Sequence, residues 1–240
     1  PNLRQRLTYR IQQRDITDID EDESIYIRRQ EGETITSSIG HEITYDRLDS
    51  RITPTKGYIL RFGNELAGLG GDVRYLQTTA SASFYTPVFT DDLILNIGSS
   101  AGYIFGLGED VRINDRFFVG GNSLRGFERA GIGPRDSDGN ALGGNQFVTA
   151  TAELSFPIGL PEELGLRGRT FTDIGYLTDL DEEEEPGNPI SQEDSIRVSV
   201  GAGLSWTSPF GPIRIDFAVP VMSEDFDEEE RFRFSFGTRF

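Results

Sequence analysis

The side chains able to do acid–base, nucleophilic or metal chemistry are few and poorly grouped in this sequence. His41 is the only histidine and cysteine is absent. That leaves no basis for a Ser-His-Asp triad, a histidine-rich metal centre, a thiolate site or a disulfide framework. Asp18, Asp20 and Asp22 have the spacing that opens an EF-hand loop. Glu23 stands where that loop needs glycine and Arg29 where it needs a bidentate glutamate, so the pattern is not a calcium site. Gly68–Gly71 lacks the strand-to-helix setting of a dinucleotide loop and reads as a tight turn. His41 alternates with Ile39 and Ile43, which suits a lipid-facing or girdle residue rather than a ligand. No catalytic residue, cofactor or metal is expected, and the chain reads as non-enzymatic.

Composition narrows the class. The 240 residues carry 23 Lys and Arg against 40 Asp and Glu, a net charge of −17. Phosphate backbones would be repelled, so nucleic acid is not an expected partner. Only 36% of residues are hydrophobic, and no run approaches the roughly 18 apolar residues of a membrane helix. A membrane β-barrel has the same bulk composition, because only every second residue meets lipid. Soluble all-β and outer-membrane barrel both stay open at this level. The chain begins at Pro1 with no visible signal peptide, which predicts a mature form or a fragment.

Periodicity supplies the elements. Val148, Ala150, Ala152, Leu154 and Phe156 share one parity, opposite Phe147, Thr149, Thr151, Glu153 and Ser155. Ile213, Ile215, Phe217, Val219 and Val221 oppose Arg214, Asp216, Ala218 and Pro220. Asp173 shares a face with Arg167 and Arg169, opposite Thr170, Thr172 and Ile174. In a strand such alternation separates two faces. It predicts about ten strands, near 3–13, 33–46, 57–68, 72–87, 92–106, 146–156, 165–177, 195–206, 212–222 and 231–240, with no convincing helical period. Short connections at 47–56, 88–91, 157–164 and 207–211 alternate with longer ones at 14–32, 107–145, 178–194 and 223–230. Short turns on one rim and long loops on the other mark outer-membrane barrels. The acidic runs 18–23, 179–185 and 224–230 fall in the long loops and read as solvated tips. Trp206, Tyr176 and Tyr58 near strand ends fit an aromatic girdle.

The long loop holds RFFVGGNSLRGFERAGIGPRD at 116–136. Its Leu124, Arg125, Gly126 and Phe127 resemble the V/L-R-G-F/Y motif in the sixth extracellular loop of BamA-type outer-membrane assembly factors, the bacterial surface antigen family. AELSFP (152–157) and FTDIG (171–175) resemble that family's next two strands. SPFGPIRIDFAVPV (208–221) resembles its penultimate turn and strand, and RFRFSFGTRF (231–240) its aromatic last strand. The resemblance implies an all-β, antiparallel transmembrane β-barrel of about 16 strands, of which this chain would be the C-terminal part. Five strands follow the arginine motif, as the family has, but only about five precede it, and no POTRA domain is present. The whole of 1–240 is thus expected to be barrel, with loop 107–145 folded inward.

The resemblance also implies roles. In the family the loop arginine meets acids on the barrel wall, and the matching acids are Glu153 and Asp173. Strand parity independently points both inward in a barrel with its apolar side out. Phe232, Phe234, Phe236 and Phe240 would face lipid and would resemble the signal by which outer-membrane proteins are recognised for insertion. Arg231, Arg233 and Arg239 would face the lumen. The implied activity is assisted folding and insertion of other outer-membrane proteins in the bacterial outer membrane. Implied partners are outer-membrane lipids, unfolded barrel clients and, mainly through POTRA domains, assembly-machinery lipoproteins. A TamA-like or two-partner-secretion transporter, or a passive pore, is the alternative.

Overall fold

Alternation of apolar and polar side chains is realised as one ten-stranded antiparallel sheet in a computed structural model, which describes residues 2–20, 23–180, 184–209 and 211–237. The strands are β1 (Leu3–Ile16), β2 (Gly32–Asp46), β3 (Gly57–Gly71), β4 (Tyr75–Val88), β5 (Thr90–Gly106), β6 (Gln146–Pro157), β7 (Leu166–Thr178), β8 (Arg197–Ser208), β9 (Gly211–Met222) and β10 (Phe232–Phe236). Each pairs only with its sequence neighbours, so the sheet is a meander whose first and last strands have one free edge each among the described residues. The all-β antiparallel fold matches the pattern. Thr238–Phe240, and with them Arg239, lie outside the described residues.

The antiparallel order sorts the connections by length. Among the described residues, 47–56, Phe89, 158–165 and Pro209 lie on one rim; 17–20, 23–31, 107–145, 179–180, 184–196 and 223–231 lie on the other. Two details differ from the sequence expectation. Gly68–Gly71 is not a turn but the end of β3, with Gly71 paired to Thr36 across a register shift. Gly68, Gly70 and Gly71 all have positive φ, the backbone freedom a bulged, strongly twisted strand end requires. The turn is Asp72–Arg74, where the Asp72 carboxylate accepts the Ile35 N–H at 2.9 Å. Within 17–31 a single helical turn forms at Ile25–Arg28, too short to leave a periodic signal.

The outer face is apolar and open to its surroundings. Phe62, Phe84, Ile97, Val148, Val200, Phe217 and Phe234 are each 41–59% exposed, the outward apolar band of a membrane barrel. The buried apolar core lies inside the curl. Ala67, Val73, Tyr75, Ile104 and Val111 form one cluster; Val119, Leu124, Phe127, Ile132 and Leu177 form another. Both join loop 107–145 to the inner wall, so the loop is the filling of the barrel's long-loop half.

The long loops also hold one another. Tyr26 is fully buried, donates to the Asn188 carbonyl at 2.8 Å and accepts the Glu185 N–H. Arg135 N–H donates to the Ser191 carbonyl at 3.0 Å. Arg197 and Asp227, both without side-chain exposure, pair at 2.9 Å. At the opposite rim, turn 47–56 is ordered by Asp49, which accepts from Thr55 Oγ1 and from the N–H groups of Ser50, Thr55 and Lys56. Burial would raise this carboxyl's pKa, but the hydrogen bonds outweigh it and hold the group below its usual range.

Candidate functional site: an arginine clasp in the lumen

Leu124-Arg125-Gly126-Phe127 is turned into the lumen against β6, β7, β8 and β9. Gly126 has φ +95°, and a Cβ there would sit 3.0 Å from the Ser199 Cβ. A chiral side chain would be strained and crowded at once. Leu124 occupies space that glycine leaves on β7: a Cβ on Gly175 would lie 2.6 Å from its Cδ2. Phe127, like Leu124, is completely buried. These apolar neighbours fix the loop and aim Arg125 at the wall.

The Arg125 guanidinium is fully engaged. Its Nε and Nη2 donate to the two carboxylate oxygens of Asp173, at 2.7 and 2.8 Å. Nη1 donates to Glu153 at 2.6 Å, and Nη2 also reaches Thr151 Oγ1 at 3.1 Å. The Thr151 hydroxyl donates to Asp173 at 2.6 Å. The plane lies over the Phe171 ring, 3.4 Å from its centroid, and the Arg125 backbone is tied too: its N–H donates to Asp173 at 3.2 Å, and its carbonyl accepts from Ser199 Oγ. A planar fork matched to a carboxylate and stacked on an aromatic ring is the arrangement for which lysine is no substitute. Asp173 is 2% exposed and Arg125 9%, so each charge depends on its partner.

The network continues beyond the three expected residues. Arg169 donates to Glu153 at 3.0 Å and to Asp216 at 2.5 Å. Asp216 is the register partner of Arg233 on β10. The chain Arg125–Glu153–Arg169–Asp216 therefore runs from the loop motif to the strand beside the closing one. Parity alone places Arg169 and Asp216 on the inner row. Their contact depends on the relative stagger of β7 and β9, two strands apart, which periodicity does not encode.

The loop also touches the last hairpin directly. Gly126 and Phe127 pair antiparallel with Glu230 and Glu229, and Glu128 N–H donates to the Glu228 carbonyl at 2.8 Å. Asn122 and Ser235 side chains meet at 3.2 Å. Phe232, Phe234 and Phe236 point outward at 59–60% exposure, opposite Phe217, Ile215 and Ile213 of β9; Phe240 lies outside the described residues. Arg233 faces inward and pairs with Glu230. His41 sits on the outer face between Leu7 and Asn64. Among the described residues no group of three or more His, Cys, Asp or Glu side chains could hold a metal. What the clasp's geometry does is hold the loop against the inner wall.

Comparison with known proteins gives a consistent result. The Omp85 superfamily domain matches residues 1–240. The outer membrane protein assembly factor BamA of Neorickettsia risticii is 37% identical over the whole chain, which spans 32% of that protein. Sorting and assembly machinery component 50 homolog A of Xenopus laevis is 33% identical over 75% of the chain and 40% of its own length. The crystal structure of BamA from Haemophilus ducreyi lacking POTRA domains 1–3 superposes with a TM-score of 0.73 at 25% identity, covering 84% of this chain and 42% of that one. The chain thus spans about a third of the length of such bacterial relatives.

Proposed function

Because this chain belongs to the Omp85 superfamily, a β-barrel family of the outer membrane, we propose that it is the C-terminal barrel portion of an outer-membrane-protein assembly factor. It works without covalent chemistry, cofactor or nucleotide. The clients are unfolded outer-membrane proteins, and assembly lipoproteins engage the longer protein through domains outside these 240 residues. The observation that carries the reading is the buried docking of Arg125 on Asp173 and Glu153, in a loop that also pairs with the segment leading into β10. An assembly factor needs strand edges that can template a client while the rest of the barrel stays ordered. A clasped loop beside the last hairpin supplies that rigidity. Leu124, Arg125, Gly126 and Phe127 act as one device, with Glu153 and Asp173 as its sockets, and the outward phenylalanines of β10 serve insertion.

The test is replacement of Arg125 by alanine and by glutamate in the full-length protein. Arg125→Glu sets a third carboxylate against Glu153 and Asp173. The expected result is greater protease sensitivity of loop 107–145 and loss of client assembly, more complete for glutamate than for alanine. Unchanged assembly in both variants removes the motif from the mechanism.

A further inference from the structure

The inner wall is not electrostatically uniform. Its short-turn half opens on a cavity of about 1130 Å³ lined by Arg61, Arg167, Arg214, Tyr85 and Asn96, with the clasp at its inner end. The carboxylates of that wall are already engaged: Asp173 and Glu153 by Arg125, Glu153 and Asp216 by Arg169. Among the described residues, Arg61 and Arg214 make no side-chain hydrogen bond and no ion pair within 4 Å, while Glu153 and Asp216 act on Arg214 only from a distance. Arg167 bonds only uncharged groups, the Ser155 hydroxyl and the carbonyls of Ser155 and Asp92. Deeper in the same cavity Arg169, 3% exposed, keeps its Nε without a partner, and the Asn96 Oδ1 is likewise buried and unmatched.

This basic mouth belongs to a chain of net charge −17, in which the described residues of the acidic runs sit on the opposite rim. Low-dielectric walls focus such a field and draw in opposite charge. The three arginines stand on β3, β7 and β9, six inter-strand steps along the wall, an arc of about 29 Å, and their side chains converge inward, so that Arg61 and Arg214 both act on Tyr85. An extended polymer with acidic groups along its length can meet all three in turn. The arginines face the lumen, on the parity opposite the lipid-facing row, so a bilayer headgroup does not meet them. Guanidinium forks match carboxylates in paired hydrogen bonds.

We propose that the short-turn mouth of the lumen is a binding site for an acidic, extended polypeptide segment, gripped by Arg61, Arg167 and Arg214. The inference stands on the fold and the charge pattern, not on the assembly reading, and binding is measured apart from assembly. The probe is a fluorescent peptide alternating Glu and Thr, titrated against the full-length protein in detergent. Saturable, salt-sensitive binding is expected, absent for a Lys-Thr peptide. The triple variant Arg61→Gln, Arg167→Gln, Arg214→Gln should weaken it about tenfold or more, while Arg28→Gln on the far rim leaves it unchanged.

A second readout avoids reliance on that variant's folding. The 240 residues contain no cysteine, so Ser83→Cys, which lines the cavity, can carry an environment-sensitive dye that the Glu-Thr peptide should shift. No saturable binding, or an unshifted dye, overturns the proposal. Displacement by inorganic phosphate or phosphatidylglycerol micelles at equal charge overturns the assignment to polypeptide.

Discussion

Arg125 is the residue on which the inner architecture turns, and its sockets are not equivalent. Asp173 takes two guanidinium hydrogen bonds, the Arg125 backbone N–H and the Thr151 hydroxyl. Glu153 shares its charge between Arg125 and Arg169. Removing one partner of a buried pair strands the other charge, at a cost of about 3–5 kcal/mol. Asp173→Ala should therefore lower stability by roughly that amount. Glu153→Gln should cost less, because Arg125 keeps Asp173 and Arg169 keeps Asp216. Urea midpoints of the folded, heat-modifiable protein check the order; an equal or larger loss for Glu153→Gln contradicts it. Little of this was legible from physics alone. Parity places Glu153, Asp173 and Arg169 inward, but nothing in a glycine-rich loop says that it turns into a lumen. The Leu124–Phe127 motif carried that expectation. Arg169–Asp216 escaped both routes, since it depends on stagger between strands that are not neighbours.

At the scale of elements, strands were far more legible than their ends. Ten runs of alternating residues became ten strands because one-residue slips would turn every apolar side chain to the wrong face. Gly68–Gly71 misled because glycine runs favour turns, whereas the ladder with β2 holds them in β3 and Asp72 makes the turn. The helical turn at Ile25–Arg28 depends on tertiary burial of Tyr26, not on a local pattern. The parity of β10 is open to test. Phe234→Arg puts a charge in the lipid row, costing about 2–4 kcal/mol near the bilayer midplane. Ser235→Glu on the next residue points inward beside its register partner Arg214 and should be tolerated. Folding yield into lipid vesicles, read by heat-modifiable mobility, should fall only for Phe234→Arg; equal yields contradict the assigned faces.

For the whole molecule, three regions divide the work. The long loops interlock into a cap through Tyr26, Arg135 and the Arg197–Asp227 pair. Loop 107–145 fills the lumen beneath them and reaches the last hairpin. The short-turn mouth is left open and basic. Among the described residues β1 and β10 each have one partner strand, β2 and β9. A capped barrel with a loop clasped in its lumen suits assisted insertion better than free passage of solutes. The most direct measurement is the folding rate of an outer-membrane barrel client in proteoliposomes containing the full-length protein, alongside the bilayer conductance of the same preparation. The account predicts faster client folding that Arg125→Glu abolishes, with small conductance. Unaccelerated client folding together with large, stable conductance would contradict it and identify a pore.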